Sequence, residues 1–124
     1  MLASTDGSAH REGVVRVMPE RDEIVAVSLE GEFDVANATA LRDQVDGSLA
    51  SGNDLILDLS QATFIDSSII HVLFEAARAV KGKDQTVILQ LGTAPIVERA
   101  LEIVAIERAL PRAHDREEAL RMIQ

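Results

Sequence analysis

From Val14 onward the apolar residues fall into short blocks, each with its own period. Val14-Val15-Arg16-Val17-Met18 predicts a first strand, and Pro19-Glu20-Arg21-Asp22 carries turn chemistry. Ile24-Val25-Ala26-Val27-Ser28-Leu29 alternates as a second strand, so the pair predicts a hairpin. Beyond Gly31-Glu32-Phe33-Asp34, residues Val35, Ala38, Leu41, Val45 and Leu49 recur at three- and four-residue spacing. They form one apolar stripe on a helix that ends near Ser51-Gly52-Asn53. Leu55-Ile56-Leu57, set between aspartates, is a continuous apolar run of the kind found in strands buried on both faces. The spacing then predicts a helix from Asp66 to about Lys81, closed by Lys81-Gly82-Lys83, and a buried strand over Thr86 to Leu91. Pro95 suits the first turn of a third helix reaching roughly to Ile103, and a short strand is expected around Ala109 to Pro111. Asp115-Arg116-Glu117-Glu118 opens a last helix, with acidic residues where the positive end of the macrodipole favours them.

Strands alternating with helices predict an α/β fold whose sheet contains parallel pairs, with the functional loops at the carboxyl ends of the strands. Residues 1–12 are small, polar and charged without periodicity and are expected to form a flexible leader, leaving 13–124 as one domain. No internal repeat or low-complexity segment interrupts it.

Composition narrows the chemistry. Aromatic residues make up 2% of the chain, so Val, Ile, Leu and Ala must fill the core and no stacking platform for bases or sugars exists. A formal net charge of -9 argues against nucleic acid or an anionic membrane as partner, since both call for a basic face. The absence of cysteine removes disulfides, thiol catalysis and Cys-ligated metals. The opening residues carry neither a basic nor an apolar targeting segment, and the expected location is the cytoplasm. The many carboxylates lie on helices and loops without a nucleophile and base at matching spacing, and there is no Gly-rich phosphate loop. No enzymatic activity and no cofactor or metal are therefore expected.

The segment Thr63-Phe64-Ile65-Asp66-Ser67-Ser68 stands out. Asp66 is a natural N-cap, which puts both hydroxyls in the first helical turn. Helical spacing aligns Ser67 with Ile70, Phe74 and Ala77, and Ser68 with His71, Glu75 and Arg78. Ser67 is thus expected to face the core, and Ser68 solvent or a partner. A phosphoryl group adds about -1.5 to -2 charges, which the free N–H groups and dipole of a helix start tolerate while a docked partner would not. On its own, Asp-Ser-Ser reads first as a plain helix start, and only the surrounding pattern raises it to a candidate site.

Two blocks in order resemble the STAS domain family, and within it the bacterial anti-sigma factor antagonists. The first is Leu29-Glu30-Gly31-Glu32-Phe33-Asp34 with the helix ending Leu41-Arg42-Asp43-Gln44-Val45. The second is Leu55-Ile56-Leu57-Asp58-Leu59-Ser60 with Thr63-Phe64-Ile65-Asp66-Ser67-Ser68. The resemblance implies a mixed four- or five-stranded sheet with helices mainly on one face. It also implies a regulator that binds an anti-sigma factor of the serine kinase type and frees the sigma factor. The partner, which binds the ATP, would switch the regulator off by phosphorylating Ser68, and a phosphatase would reverse this. Asp34 matches the loop acid beside the serine and is also an N-cap for the first helix, while Asp66 caps and orients the serine loop. Where the antagonists have Gly-Leu-Gly after the serines this chain has Ile69-Ile70-His71, so Ser67, Ile69 and His71 join the expected contact set.

Two other readings remain at this point. One is a STAS interaction or scaffolding module without phosphorylation. The other is a response-regulator receiver with Asp58 as phosphoacceptor, against which stand Met18-Pro19 where an acidic pair belongs and lysines only at Lys81 and Lys83.

Overall fold

The structure is a computed structural model that describes residues 13–92 and 94–123. The expected leader, residues 1–12, lies outside the described residues. Five strands form one sheet in the order β1-β2-β3-β4-β5: β1 (Val14–Pro19), β2 (Ile24–Phe33), β3 (Asp54–Ile65), β4 (Val87–Gln90) and β5 (Arg112–Ala113). β1 pairs antiparallel with β2 as the expected hairpin, and every later pairing is parallel. Asp22 and Glu23 take up positive φ to close the turn of that hairpin. The helices are α1 (Val35–Ala50), α2 (Ser67–Val80), α3 (Pro95–Ile103) and α4 (Arg116–Ile123).

Strand alternation sorts the apolar residues between two layers. Val27, Leu29, Leu55, Leu57, Val87 and Leu89 point to the face covered by α1, α2 and α3, where Leu41, Val45, Ile69, Leu73, Val97 and Leu101 meet them. The intervening Ala26, Ile56 and Ile88 point to the opposite face, where α4 packs Ala119, Leu120 and Ile123 against them. Three helices on one face and one on the other is the mixed α/β architecture expected.

Four details differ from the sequence expectation. Val35 is 73% exposed although it shares the three- and four-residue spacing of Ala38, Leu41, Val45 and Leu49, because it occupies the first helical turn at the edge of the stripe. β3 runs to Ile65, well past Leu57, so Thr63, Phe64 and Ile65 are strand and not loop. β5 is Arg112–Ala113 and not Ala109 to Pro111: Ala109 ends a 3-10 turn (Ile106–Arg108), and pairing starts where Leu89 N donates to the Pro111 carbonyl at 2.9 Å. The proline can accept there but has no N–H to give. The fourth concerns the face of α2.

Candidate functional site

The register sets β2 and β3 side by side with Phe33 opposite Ile65, so both strands end at one level. Each runs at once into an aspartate N-cap. Asp34 caps α1, its Oδ1 accepting from Ala36 N at 2.9 Å, while Asn37 Oδ1 accepts from Asp34 N at 2.9 Å to complete a capping box. Asp66 caps α2, its Oδ1 accepting from Ser68 N at 2.9 Å and from Ile69 N at 3.4 Å. Two helix N-termini and two carboxylates therefore sit next to each other at the carboxyl edge of the sheet.

The same Asp66 oxygen accepts the Ser68 hydroxyl at 2.5 Å, a short charge-assisted bond that fixes the rotor of that serine. Ser68 is half-buried and Ser67 is exposed. This reverses the expected faces: Ser67 does not point to the core. The buried row of α2 is Ile69, Val72, Leu73 and Ala76, with Ile70, Phe74 and Ala77 packing half-buried beside it. Two adjacent rows of α2 are apolar, and the better-filled one decides the rotation of the helix about its axis.

Ile69, one of the residues standing where the resemblance has glycine, is fully buried, so its bulk is taken up by the core and does not project toward a partner. His71, with a side chain 60% exposed, projects outward and places Nε2 3.1 Å from Glu75 Oε2. Arg42 of α1 reaches the other oxygen of Glu75 at 3.0 Å. The Arg42 hydrogen bond, aided by the charges of Arg42 and His71, holds the Glu75 carboxyl below the usual carboxylate range. The expected site residues thus gather at the start of α2 and the adjoining Asp34, with Ile69 beneath the surface.

Sequence reasoning missed a second polar feature. Ser28, Asp58 and Gln90, on β2, β3 and β4, are buried on the α4 face, and the pairings Ser28↔Asp58 and Asp58↔Gln90 put them in one row. Arg116 at the start of α4 closes over the row, its Nε donating to Gln90 Oε1 at 2.8 Å, Nη1 to Glu20 Oε2 at 2.7 Å and Nη2 to Asp58 Oδ2 at 2.5 Å. A polar residue at the same register position of three apolar strands was the available signal. Asp58 is therefore a buried, paired carboxylate and not an exposed phosphoacceptor. The strand order also lacks the 2-1-3-4-5 arrangement of a receiver, and that reading is set aside.

A cavity of about 480 Å³ opens beside α3 and β5, lined by Glu98, Glu102, Arg112 and His114 among others, and holds none of the expected site residues. Among the described residues no group of three or more His, Cys, Asp or Glu is placed to hold a metal ion. None of the described helices is long and apolar enough to cross a membrane.

Replacing Asp66 by alanine removes both the cap and the acceptor of the Ser68 hydroxyl. It is expected to cost about 1–2 kcal/mol, read as a fall in the denaturant midpoint at unchanged m-value.

A family model described as STAS domain matches residues 16–119. A search of curated protein sequences finds no match. Among solved structures, an anti-sigma factor antagonist from Mycobacterium paratuberculosis superposes with TM-score 0.78 at 21% identity, covering 98% of each chain. The anti-sigma factor antagonist SpoIIAA in its unphosphorylated form gives TM-score 0.69 at 17% identity, over 88% of this chain and 96% of that one. The Bacillus cell fate determinant SpoIIAA in the phosphorylated form gives 0.70 at 18%, over 90% and 100%. At these identities the likeness shows the fold.

Proposed function

The chain belongs to the STAS domain family, and from that premise we propose that it is an anti-sigma factor antagonist. It binds an anti-sigma factor that is also a serine kinase, so that the sigma factor is released, and it lets go once Ser68 is phosphorylated. It performs no catalysis itself and binds no cofactor, because the partner supplies the ATP; a phosphatase returns it to the binding form. This places the protein in the cytoplasm with its partners.

The observation that carries the reading is the Ser68 hydroxyl, held by Asp66 on the first turn of α2. That position answers both demands of a phosphorylation switch. The positive end of the α2 dipole favours an anion at the helix start, so the fold survives modification. The Asp66 carboxylate accepts a hydrogen bond from the Ser68 hydroxyl and stands ready to take its proton when a γ-phosphoryl group is brought in line. The new charge arises on the edge that the Asp34 and Asp66 caps form, so a partner seated there would have to bury it. The fold is that of SpoIIAA, which has been described in both unphosphorylated and phosphorylated forms. Asp34 and exposed Ser67 and His71 border the same edge and complete the contact surface, while Ile69 supports it from below.

Replacing Ser68 by glutamate is expected to weaken binding to the cognate anti-sigma factor by about two orders of magnitude while leaving the thermal transition within a few degrees of the parent. Calorimetric titration of the parent and of Ser68→Glu against the kinase-type anti-sigma factors of the source organism reads this directly. If none of them binds the unmodified protein, the antagonist reading fails. Equal binding of both forms leaves an interaction module without the switch.

A further inference from the structure

The row Ser28, Asp58 and Gln90 is the polar exception in the middle of an aliphatic sheet, each residue no more than 6% exposed. Stability alone does not call for it, since well-packed apolar residues commonly replace a buried ion pair at no loss. Asp58 divides its oxygens in a telling way. Oδ2 accepts from Ser28 Oγ at 3.3 Å and from Arg116, and Oδ1 accepts from the backbone N–H of Ser60 at 2.8 Å.

Ser60 lies in a β-bulge. The β2–β3 register steps from Ser28↔Asp58 to Glu30↔Gln61, so that β3 inserts one extra residue, and it steps again from Gly31↔Ala62 to Glu32↔Phe64, where β3 inserts a second. A bulge leaves a backbone group outside the ladder, bends the strand and increases its twist, and so re-aims everything downstream. What lies downstream is the rest of β3, which runs directly into Asp66, Ser67 and Ser68.

We propose that Asp58 is a positioning residue for the serine segment: by accepting the Ser60 N–H it fixes the first of the two β3 bulges on the way to Ser68, and through Arg116 it ties that bulge to α4. The C-terminal helix and the serine edge are thereby mechanically connected through the sheet. The purpose of this coupling rests on the proposed switch at Ser68. Its existence does not, and it is measurable on the isolated protein.

The test separates positioning from stability. Asp58→Leu combined with Arg116→Leu removes both charges and also the acceptor for Ser60 N–H. Asp58→Asn combined with Arg116→Leu removes the same charges but keeps a carbonyl oxygen at that acceptor position. Amide hydrogen exchange is followed by mass spectrometry, with the core of α1 as internal reference in each variant. In the leucine pair, residues 60–68 are expected to exchange about tenfold faster than in the parent relative to that reference, and in the asparagine pair to stay within about threefold of the parent. Should leucine at 58 prevent folding, Asp58→Ala in the same Arg116→Leu background takes its place. Equal protection of residues 60–68 in the two pairs overturns the proposal, whatever a partner does. Failure of the parent to bind any anti-sigma factor would remove the switch and leave this result standing.

Discussion

Replacing Arg116 with alanine is expected to lower the unfolding free energy by about 3 kcal/mol, the low end of what breaking a buried ion pair costs. The Asp58 side chain is 8% exposed and accepts Nη2 of Arg116, so the truncation leaves a carboxylate in a poorly solvated site with only Ser28 Oγ and Ser60 N to support it. The value stays near the low end because Arg116 itself is 24% exposed and its bond to Glu20 lies near the surface, where water takes over part of the interaction. α4 loses its polar anchor to the sheet in the same step and keeps the Arg21 bond to the Leu120 carbonyl. It then depends on Ala119, Leu120 and Ile123 against Ala26, Ile56 and Ile88. A thermal scan followed by circular dichroism should show the midpoint falling by about 10 °C, and Arg116→Leu combined with Asp58→Leu should recover most of that loss.

Gly92→Ala is expected to cost about 2–3 kcal/mol, the usual range for forcing extra volume into a filled site. A Cβ at position 92 would stand 2.7 Å from both the Cα and the carbonyl oxygen of Ser60. Both are backbone atoms, which cannot swing aside as a side-chain tip would. The loop leaving β4 therefore rests on the Ser60 bulge of β3, and any larger residue must displace that backbone. Urea unfolding gives the loss of stability directly, and exchange at residues 60–68 shows whether the displacement reaches the serine segment.

How much of this was legible in the chain follows from the range over which each cause acts. The hairpin, α1, α2, β4 and α3 announce themselves through periodicity and through local punctuation such as the Asp66 cap and Pro95. The caps at Asp34 and Asp66 are likewise local chemistry, readable three residues at a time. The length of β3 is hidden because two bulges, at Ser60 and between Ala62 and Phe64, break the alternation that would have carried the strand on through Ile65. The rotation of α2 is not legible locally, because the row Ile70, Phe74 and Ala77 is as apolar as the row that is in fact buried, and packing in the core decides between them. The Arg116 anchor is out of reach of local pattern, since it joins residues 58 positions apart and only the packing of α4 on the sheet brings them together.

Phosphoryl transfer onto Ser68 is the claim on which the switch stands, and the faces of α2 make its competitor specific: Ser67 is the more exposed hydroxyl, Ser68 the one oriented by Asp66. The decisive measurement is the intact mass and phosphosite of the parent, Ser67→Ala and Ser68→Ala proteins after incubation with ATP and the kinase-type anti-sigma factors of the source organism. The account predicts a single phosphate on the parent and on Ser67→Ala, and none on Ser68→Ala. Phosphate located on Ser67, or transfer that survives Ser68→Ala, would contradict it.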